Sequence, residues 1–276
     1  MSVKIDESGR RSVEVEVEVP GTPEEVWRAI ASGLGVSAWF VPTEIEEREG
    51  GRVVSHFGPG MDAVATVTAW DPPRRFAADT GDYPPGAPTM ATEWIVEARS
   101  GGTCVVRVVH SLFASTDEWD NQLESTEEGW PTFFRILELY LEHFRGARAV
   151  SLSLMGMASG DVDEAWRDFT GKFGLEVRGP GERCATSAAD APRLGGVVEP
   201  LAEIAHGRRV LLRLDEPAPG VAMLGAFNCG GAVMPTMSLY LYGEAAAEGF
   251  ARDEPRWRAW METHYPAAAS DASTGA

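Results

Sequence analysis

One stretch constrains this chain more than any other. Between Glu127 and Phe144 the residues Trp130, Phe133, Phe134, Leu137, Leu141 and Phe144 recur at the helical period. The spacing predicts a long helix with one aromatic face. Before it come six strand-like runs, Thr43 to Arg48, Gly51 to Phe57, Ala63 to Trp70, Arg75 to Asp79, Ala91 to Ala98 and Thr103 to Phe113. Gly50-Gly51, Gly58-Pro59-Gly60, Asp71-Pro72-Pro73 and Gly101-Gly102 separate them, the punctuation of an antiparallel meander. A curved sheet with one apolar face needs a cover, and the long helix is the one element large enough. Bending a sheet around a helix leaves room between them, which is the route from element order to a ligand cavity.

The start of the chain completes that unit. Val13, Val15, Val17 and Val19 alternate with Glu14, Glu16 and Glu18, the pattern of a half-buried strand. Thr22-Pro23-Glu24-Glu25 then opens a helix with a cap, a first-turn proline and two carboxylates. Val26, Trp27, Ile30 and Ala31 give it an apolar stripe, and a short second helix is expected around Val36 to Phe40.

From Arg148 the order begins again in weaker form. Ala149 to Leu154 reads as a strand and Asp161 to Phe173 as a helix, whose DVDEAWRDF is close to TPEEVWRAI, with Trp166 answering Trp27. Arg208 to Leu214, Val221 to Phe227 and Ser238 to Tyr242 read as strands, and Gly179 to Gly196 has few strand signals. A last helix is expected over Ala251 to Thr263, with Pro255 confining its firm part to the later turns. This is a candidate degenerate repeat.

Composition removes several function classes. The chain has 276 residues, with 42 acidic against 24 basic side chains and a formal net charge of -18. No cluster of Lys and Arg forms a phosphate-binding surface, so neither nucleic acid nor an anionic membrane is an expected partner. MSVKIDESGRR has no apolar core, no stretch has the length of a membrane helix, and Cys104, Cys184 and Cys229 are odd in number and far apart. A cytoplasmic protein without a disulfide scaffold is expected. No HExxH, CxxC, GxSxG, Walker or dinucleotide fingerprint occurs, so no metal, cofactor or catalytic residue is assigned.

Several segments, taken together and in order, carry a family resemblance. They are VPGTPEEVWRAI at 19–30, Trp39-Phe40 before Pro42, Gly50-Gly51, AWDPPRRF at 69–76, TEWIVEARSGGTCVVRVVHSLF at 92–113 and GWPTFFRILELYLEHF at 129–144. The first half resembles the activator-of-Hsp90-ATPase-like branch of the START/SRPBCC superfamily. The resemblance implies an α+β helix-grip fold, a curved antiparallel sheet wrapped around a long carboxy-terminal helix and an apolar pocket. It implies a helix-grip domain over 1–146 and a degenerate second copy over 147–265; the small-residue run 266–276 is expected to be a disordered tail.

Strand parity names the cavity candidates. With Arg107 facing water, His110 and Leu112 face inward; with Glu93 and Glu97 outward, Trp94 and Val96 face inward. The long helix presents Trp130, Phe133, Phe134 and Leu137, and the aromatic pair adds Trp39 and Phe40. On Gly51 to Phe57, Arg52 shares a face with Val54 and His56, which leaves the inward set ambiguous, and both Val54 and His56 are kept as candidates. A buried imidazole at His110 would orient a ligand or move a proton; the plainer reading is a hydrogen-bonded core group. The leading expectation is a non-catalytic protein that holds a small hydrophobic molecule, or a partner protein, in the cavity. The alternatives are a polyketide cyclase or aromatase-like enzyme using the same cavity, and an Hsp90-activator-like interaction protein of stress regulation.

Overall fold

A two-residue strand, β1 (Lys4–Ile5), pairs antiparallel with β2 (Arg11–Pro20), in which the Val/Glu alternation becomes an inner and an outer face. The molecule is seen in a computed structural model that describes residues 3–7, 9–57, 62–81, 89–112, 120–204, 207–229 and 231–266. The chain separates into two compact units, Met1–Arg148 and Ala149–Ala276.

In the first unit β2 leads into α1 (Pro23–Ala31) and α2 (Gly33–Val36). A capping box starts α1: Glu25 N–H donates to Thr22 Oγ1 at 3.3 Å, and Thr22 N–H donates to the Glu25 carboxylate at 2.9 Å. That bond to the Thr22 backbone, with Arg145 at 2.8 Å, holds the Glu25 carboxyl below its usual range. The short α2 turns tightly against α1. A Cβ on Gly35 would lie 1.9 Å from the Arg28 carbonyl oxygen, so only glycine fits there. Six strands follow, β3 (Thr43–Ile45), β4 (Arg52–His56), β5 (Asp62–Asp71), β6 (Arg75–Asp79), β7 (Met90–Arg99) and β8 (Thr103–Leu112). The sheet order is β1-β2-β8-β7-β6-β5-β4-β3, antiparallel throughout. The first long strand and the last meander strand are therefore neighbours, with Val13 opposite His110 and Val19 opposite Cys104. Helix α3 (Asp120–His143) covers the inner face, and it begins earlier than the expected Glu127. Rings on α3 meet rings on β7, Trp94 to Trp130 at 5.1 Å and Trp94 to Phe134 at 6.3 Å. This is the helix-grip arrangement.

The outer face is wet and ionic. Arg107 bonds Glu16 and lies 3.0 Å from Glu14 and 3.6 Å from Glu97, joining β2, β8 and β7 across the sheet. The parity argument that sent Arg107, Glu93 and Glu97 outward thus holds.

The second unit runs β9 (Ala149–Met155), α4 (Val162–Phe173), β10 (Arg183–Ala185), β11 (Gly195–Glu199), β12 (Gly207–Glu216), β13 (Gly220–Cys229), β14 (Ala232–Tyr242) and α5 (Glu244–His264). Its sheet order is β10-β11-β12-β13-β14-β9, again with the first strand beside the last. It repeats the connectivity of the first unit from β2 onward, with no counterpart of β1 and with one meander strand and one short helix fewer, and α4 has the same capping box, Asp161 with Glu164. Trp166 sits five residues after its cap, as Trp27 does after Thr22. The duplicated, shortened architecture is present.

Two expectations for this unit are corrected. Strands β10 and β11 lie in or beside the stretch Gly179 to Gly196 that carries few strand signals. Their alternation is broken by a register shift at Gly195/Gly196, where a Cβ on Gly196 would meet the Arg213 carbonyl oxygen at 2.2 Å. Helix α5 starts at Glu244 and continues through Pro255. A proline inside a helix costs about 3 kcal/mol, but the buried Ala246 before it and Trp257, Trp260 and Met261 after it bind both halves to the core. Of the expected tail 266–276, everything after Pro266 lies outside the described residues.

Candidate functional site

The inner face of the first unit is an aromatic cluster assembled from four elements. The turn after α2 supplies Trp39 and Phe40, β7 supplies Trp94, β8 supplies His110, and α3 supplies Trp130, Phe133 and Phe134. Trp39 is held by an indole N–H bond of 2.8 Å to the Ala29 carbonyl, which lies in the last turn of α1 and has no partner within the helix ladder. Trp39 lies 6.0 Å from Trp94 and 6.4 Å from Trp130, and Phe40 stacks on Trp130 at 5.3 Å and 21°. Phe133 meets Phe40 edge to face at 4.6 Å. Such pairs each add about 0.5–1.5 kcal/mol beyond area burial.

The cluster is graded in exposure. Trp39, Phe134 and Trp130 are buried at its inner end, Phe40 and Phe133 are half-buried, and Phe57 at the outer end is 44% exposed with its ring 5.8 Å from Phe40. Val96 and Leu137 are buried on the same sheet and helix faces. Leu112 shares the inner face of β8 but packs further along, with Val13 and Met90.

His110 is the one imidazole in the cluster, and both its nitrogens are engaged. Trp130 Nε1–H donates to Nε2 at 2.7 Å, so Nε2 is an acceptor. Nδ1 must then carry the proton in the neutral ring and donates it to Thr92 Oγ1 at 3.0 Å. The ring also stacks on Trp130 at 5.5 Å and 18°. Burial, with no carboxylate among the causes, pushes the His110 pKa down to about 4. At neutral pH it is an uncharged, fixed tautomer that braces Trp130 against β7.

Of the two candidates on β4, Val54 is buried, at 5% exposure, whereas His56 is not brought to the cluster. Phe57, just beyond the end of β4, has the ring that meets Phe40, and Ser55 Oγ lies 3.3 Å from the buried Thr43 hydroxyl. Val54 sits between its register partners Glu44 and Val64. His56 Nδ1 bonds Asp62 at 2.9 Å and Nε2 lies 3.7 Å from Glu44, and the Asp62 bond raises its pKa. It is a surface group clipping three strands together. A depression of about 700 Å³ borders this region, lined by Asp62, Val64, Thr66, Asp79, Thr80 and Thr89 among others. None of the expected residues lines it.

Sequence reasoning missed Thr92 and Phe57. Thr92 was within reach: the Gly101-Gly102 turn sets Arg99 opposite Thr103, and counting outward from that pair puts Thr92 opposite His110. Phe57 lies just past the end of β4, where strand parity no longer applies.

Among the described residues no group of His, Cys, Asp and Glu is placed to hold a metal ion. Cys104 and Cys184 are buried free thiols, and burial raises the pKa of each. No described helix is long and apolar enough to cross a membrane.

Residues 20–142 match the family model described as activator of Hsp90 ATPase homolog 1-like protein. No curated protein matches the sequence. Among solved structures, protein MLL2253 from Mesorhizobium loti is similar at 22% identity, covering 49% of this chain and 98% of that one, with a TM-score of 0.43. The di-domain ARO/CYC BexL from the BE-7585A biosynthetic pathway is similar at 17% identity, covering 94% of this chain and all of that one, with a TM-score of 0.44. DynU16, described as a putative protein in the dynemicin biosynthetic locus, is 16% identical over 92% of this chain and 96% of that one, at a TM-score of 0.40. The family model and the helix-grip topology coincide on the same segment, residues 20–142, over which this chain is similar to the activator of Hsp90 ATPase homolog 1-like proteins.

Proposed function

We propose that the first unit is a non-catalytic binding module that holds a small hydrophobic molecule between its sheet and α3. The observation that carries this reading is the exposure gradient of one continuous ring cluster, from the buried Trp39 and Trp130, through Phe40 and Phe133, to the exposed Phe57. Small-molecule sites are largely apolar and aromatic with few polar groups, and here the graded end offers an apolar entry. The absence of chemistry in the reading rests on His110. An acid–base catalyst works best with a pKa near the operating pH and a free nitrogen towards substrate. His110 has neither, since burial lowers its pKa and Trp130 and Thr92 occupy its two nitrogens.

The test is titration with a neutral apolar probe such as N-phenyl-1-naphthylamine, followed by its emission and by quenching of tryptophan fluorescence. Saturable binding is expected. Phe40→Ala and Phe133→Ala should each weaken it about tenfold, the contribution of a largely buried phenyl ring. Absence of saturable binding would remove the proposal. Turnover of a polyketide-like substrate that disappears in His110→Gln would replace it with the cyclase-type reading.

A further inference from the structure

The second unit carries a pocket of a different chemistry. It has a volume of about 290 Å³ and lies against the middle of α5, lined by Pro192, Arg193, Pro217, Arg252, Asp253, Arg256 and Trp257. We infer that this pocket is a binding site for a small oxyanion, carboxylate or phosphate, carried on a compact apolar body.

Charge is the first argument. In a chain with 42 acidic and 24 basic side chains, a guanidinium readily finds a carboxylate. Arg75, Arg107, Arg145, Arg183, Arg208 and Arg213 all do. Around this pocket the ratio is inverted, with three guanidinium groups against one carboxylate. That carboxylate is already used: Arg252 grips Asp253 with both arms, Nε at 3.1 Å and Nη2 at 2.7 Å, and holds its carboxyl below the usual range. Arg193 and Arg256 make no side-chain hydrogen bond to a described residue; the charge of Arg256 helps hold the Asp253 carboxyl low, but the two bonds to that carboxylate come from Arg252. Their forks match the two oxygens of a carboxylate or phosphate in a way that a lysine would not.

Preorganisation is the second argument. Arg193 lies on a pinned loop. Thr186, itself buried, donates its hydroxyl to the Pro192 carbonyl at 2.8 Å and accepts from Leu194 N–H at 3.0 Å. Ala191 and Leu194 on either side are 3% and 1% exposed. Arg256 is carried on α5 next to Trp257, which is 1% exposed and locks the helix against the core. Both backbones are thus fixed before a ligand arrives, which lowers the ordering cost of binding. Trp257, Pro192 and Pro217 supply an apolar floor, and the volume is at the small end for ligand sites. The ligand is accordingly a compact molecule with a single anionic head.

The experiment uses the full chain with phenyl phosphate and benzoate as anionic probes, benzyl alcohol as the neutral analogue and inorganic phosphate as the bare head. Binding is measured calorimetrically at low salt. Saturable binding of an anionic probe that weakens with added salt and exceeds that of benzyl alcohol is expected. Arg193→Gln and Arg256→Gln should each weaken it about tenfold, as loss of a charge-assisted hydrogen bond does, and the double variant more. Arg258→Gln, on the same helix but already paired with Glu254 at 2.7 Å, should leave affinity unchanged. All three arginines are exposed, so the variants should unfold as the parent does. Equal affinity in the double variant, or no saturable binding by either anionic probe, overturns the inference. Inorganic phosphate binding as tightly as phenyl phosphate overturns the apolar part of it.

Discussion

The two units share a connectivity and differ in what they place under the sheet. In the first, the interior between sheet and α3 is a ring cluster with an imidazole in it and an exposed end. In the second, the corresponding space is closed: Phe173 stacks on Trp260 at 4.0 Å, Phe169 packs at 5.0 Å from Phe173, and Phe169, Phe173 and Trp257 are at most 1% exposed. The Tyr265 hydroxyl donates to Asp168 at 2.7 Å, tying the end of α5 to α4. The same topology thus supports an interior graded towards solvent in one copy and a sealed core in the other. In the second copy the groups available for recognition lie on the outside, as arginines along α5.

The largest effect that would break this comparison is in the sealed core. Phe173→Ala should destabilise the second unit by about 3–5 kcal/mol, the range for emptying a buried phenyl site, read by urea unfolding at neutral pH. A loss under about 1 kcal/mol would show that the second interior is not closed. Next in size is the acid response of the first unit. The folded pKa of His110 is lowered to about 4 from 6.5, so its neutral form is the stable one. Its contribution is fully present above the unfolded pKa and is lost as pH falls from about 6.5 to 4, because the unfolded chain takes up the proton first. That is about 3 kcal/mol over the window. His110→Gln keeps an acceptor near Trp130 and removes the titration, so its stability should fall less steeply there. An unchanged slope in the variant would show that other groups set it.

A smaller effect tests the equivalence of the two copies. Thr22→Ala and Asp161→Ala each remove one half of a capping box and should cost about 1 kcal/mol, in similar amounts if the helices are counterparts. Markedly unequal costs would weaken that equivalence. The smallest effect on stability is Phe133→Ala, where a half-buried ring is lost. Thermal unfolding should shift by no more than a few degrees, while affinity for an apolar probe falls about tenfold. The reverse pattern would make Phe133 a core residue only.

Much of the fold was legible because periodicity is local. The alternation of β2, the six meander runs, the caps of α1 and α4 and the aromatic face of α3 all follow from side chains spaced to fit one face of one element. Legibility failed where packing overrode local preference. Pro255 argues against a helix, yet α5 passes through it because residues on both sides are anchored in the core. Gly195 and Gly196 erase strand alternation, yet β11 pairs there through a shifted register. For the site, parity placed Trp94, Val96, His110 and Leu112 on the inner face, whereas it left β4 ambiguous. On that strand the structure buries Val54 and leaves His56 at the surface beside Asp62.

The sequence by itself determined the order of elements from β2 to α3, the weaker repetition of that order after Arg148, the inner and outer faces of β2, β7 and β8, and a surface too acidic for nucleic acid. Each is a statement about neighbours along the chain or about total charge. Only the tertiary structure decided that His110 is a satisfied core group, that His56 faces outward between Asp62 and Glu44, and that Arg193 and Arg256 share a pocket. Those facts depend on which residues from distant elements come within hydrogen-bond or ring contact. A one-dimensional pattern holds no record of such distances until the strands are paired and the helices docked.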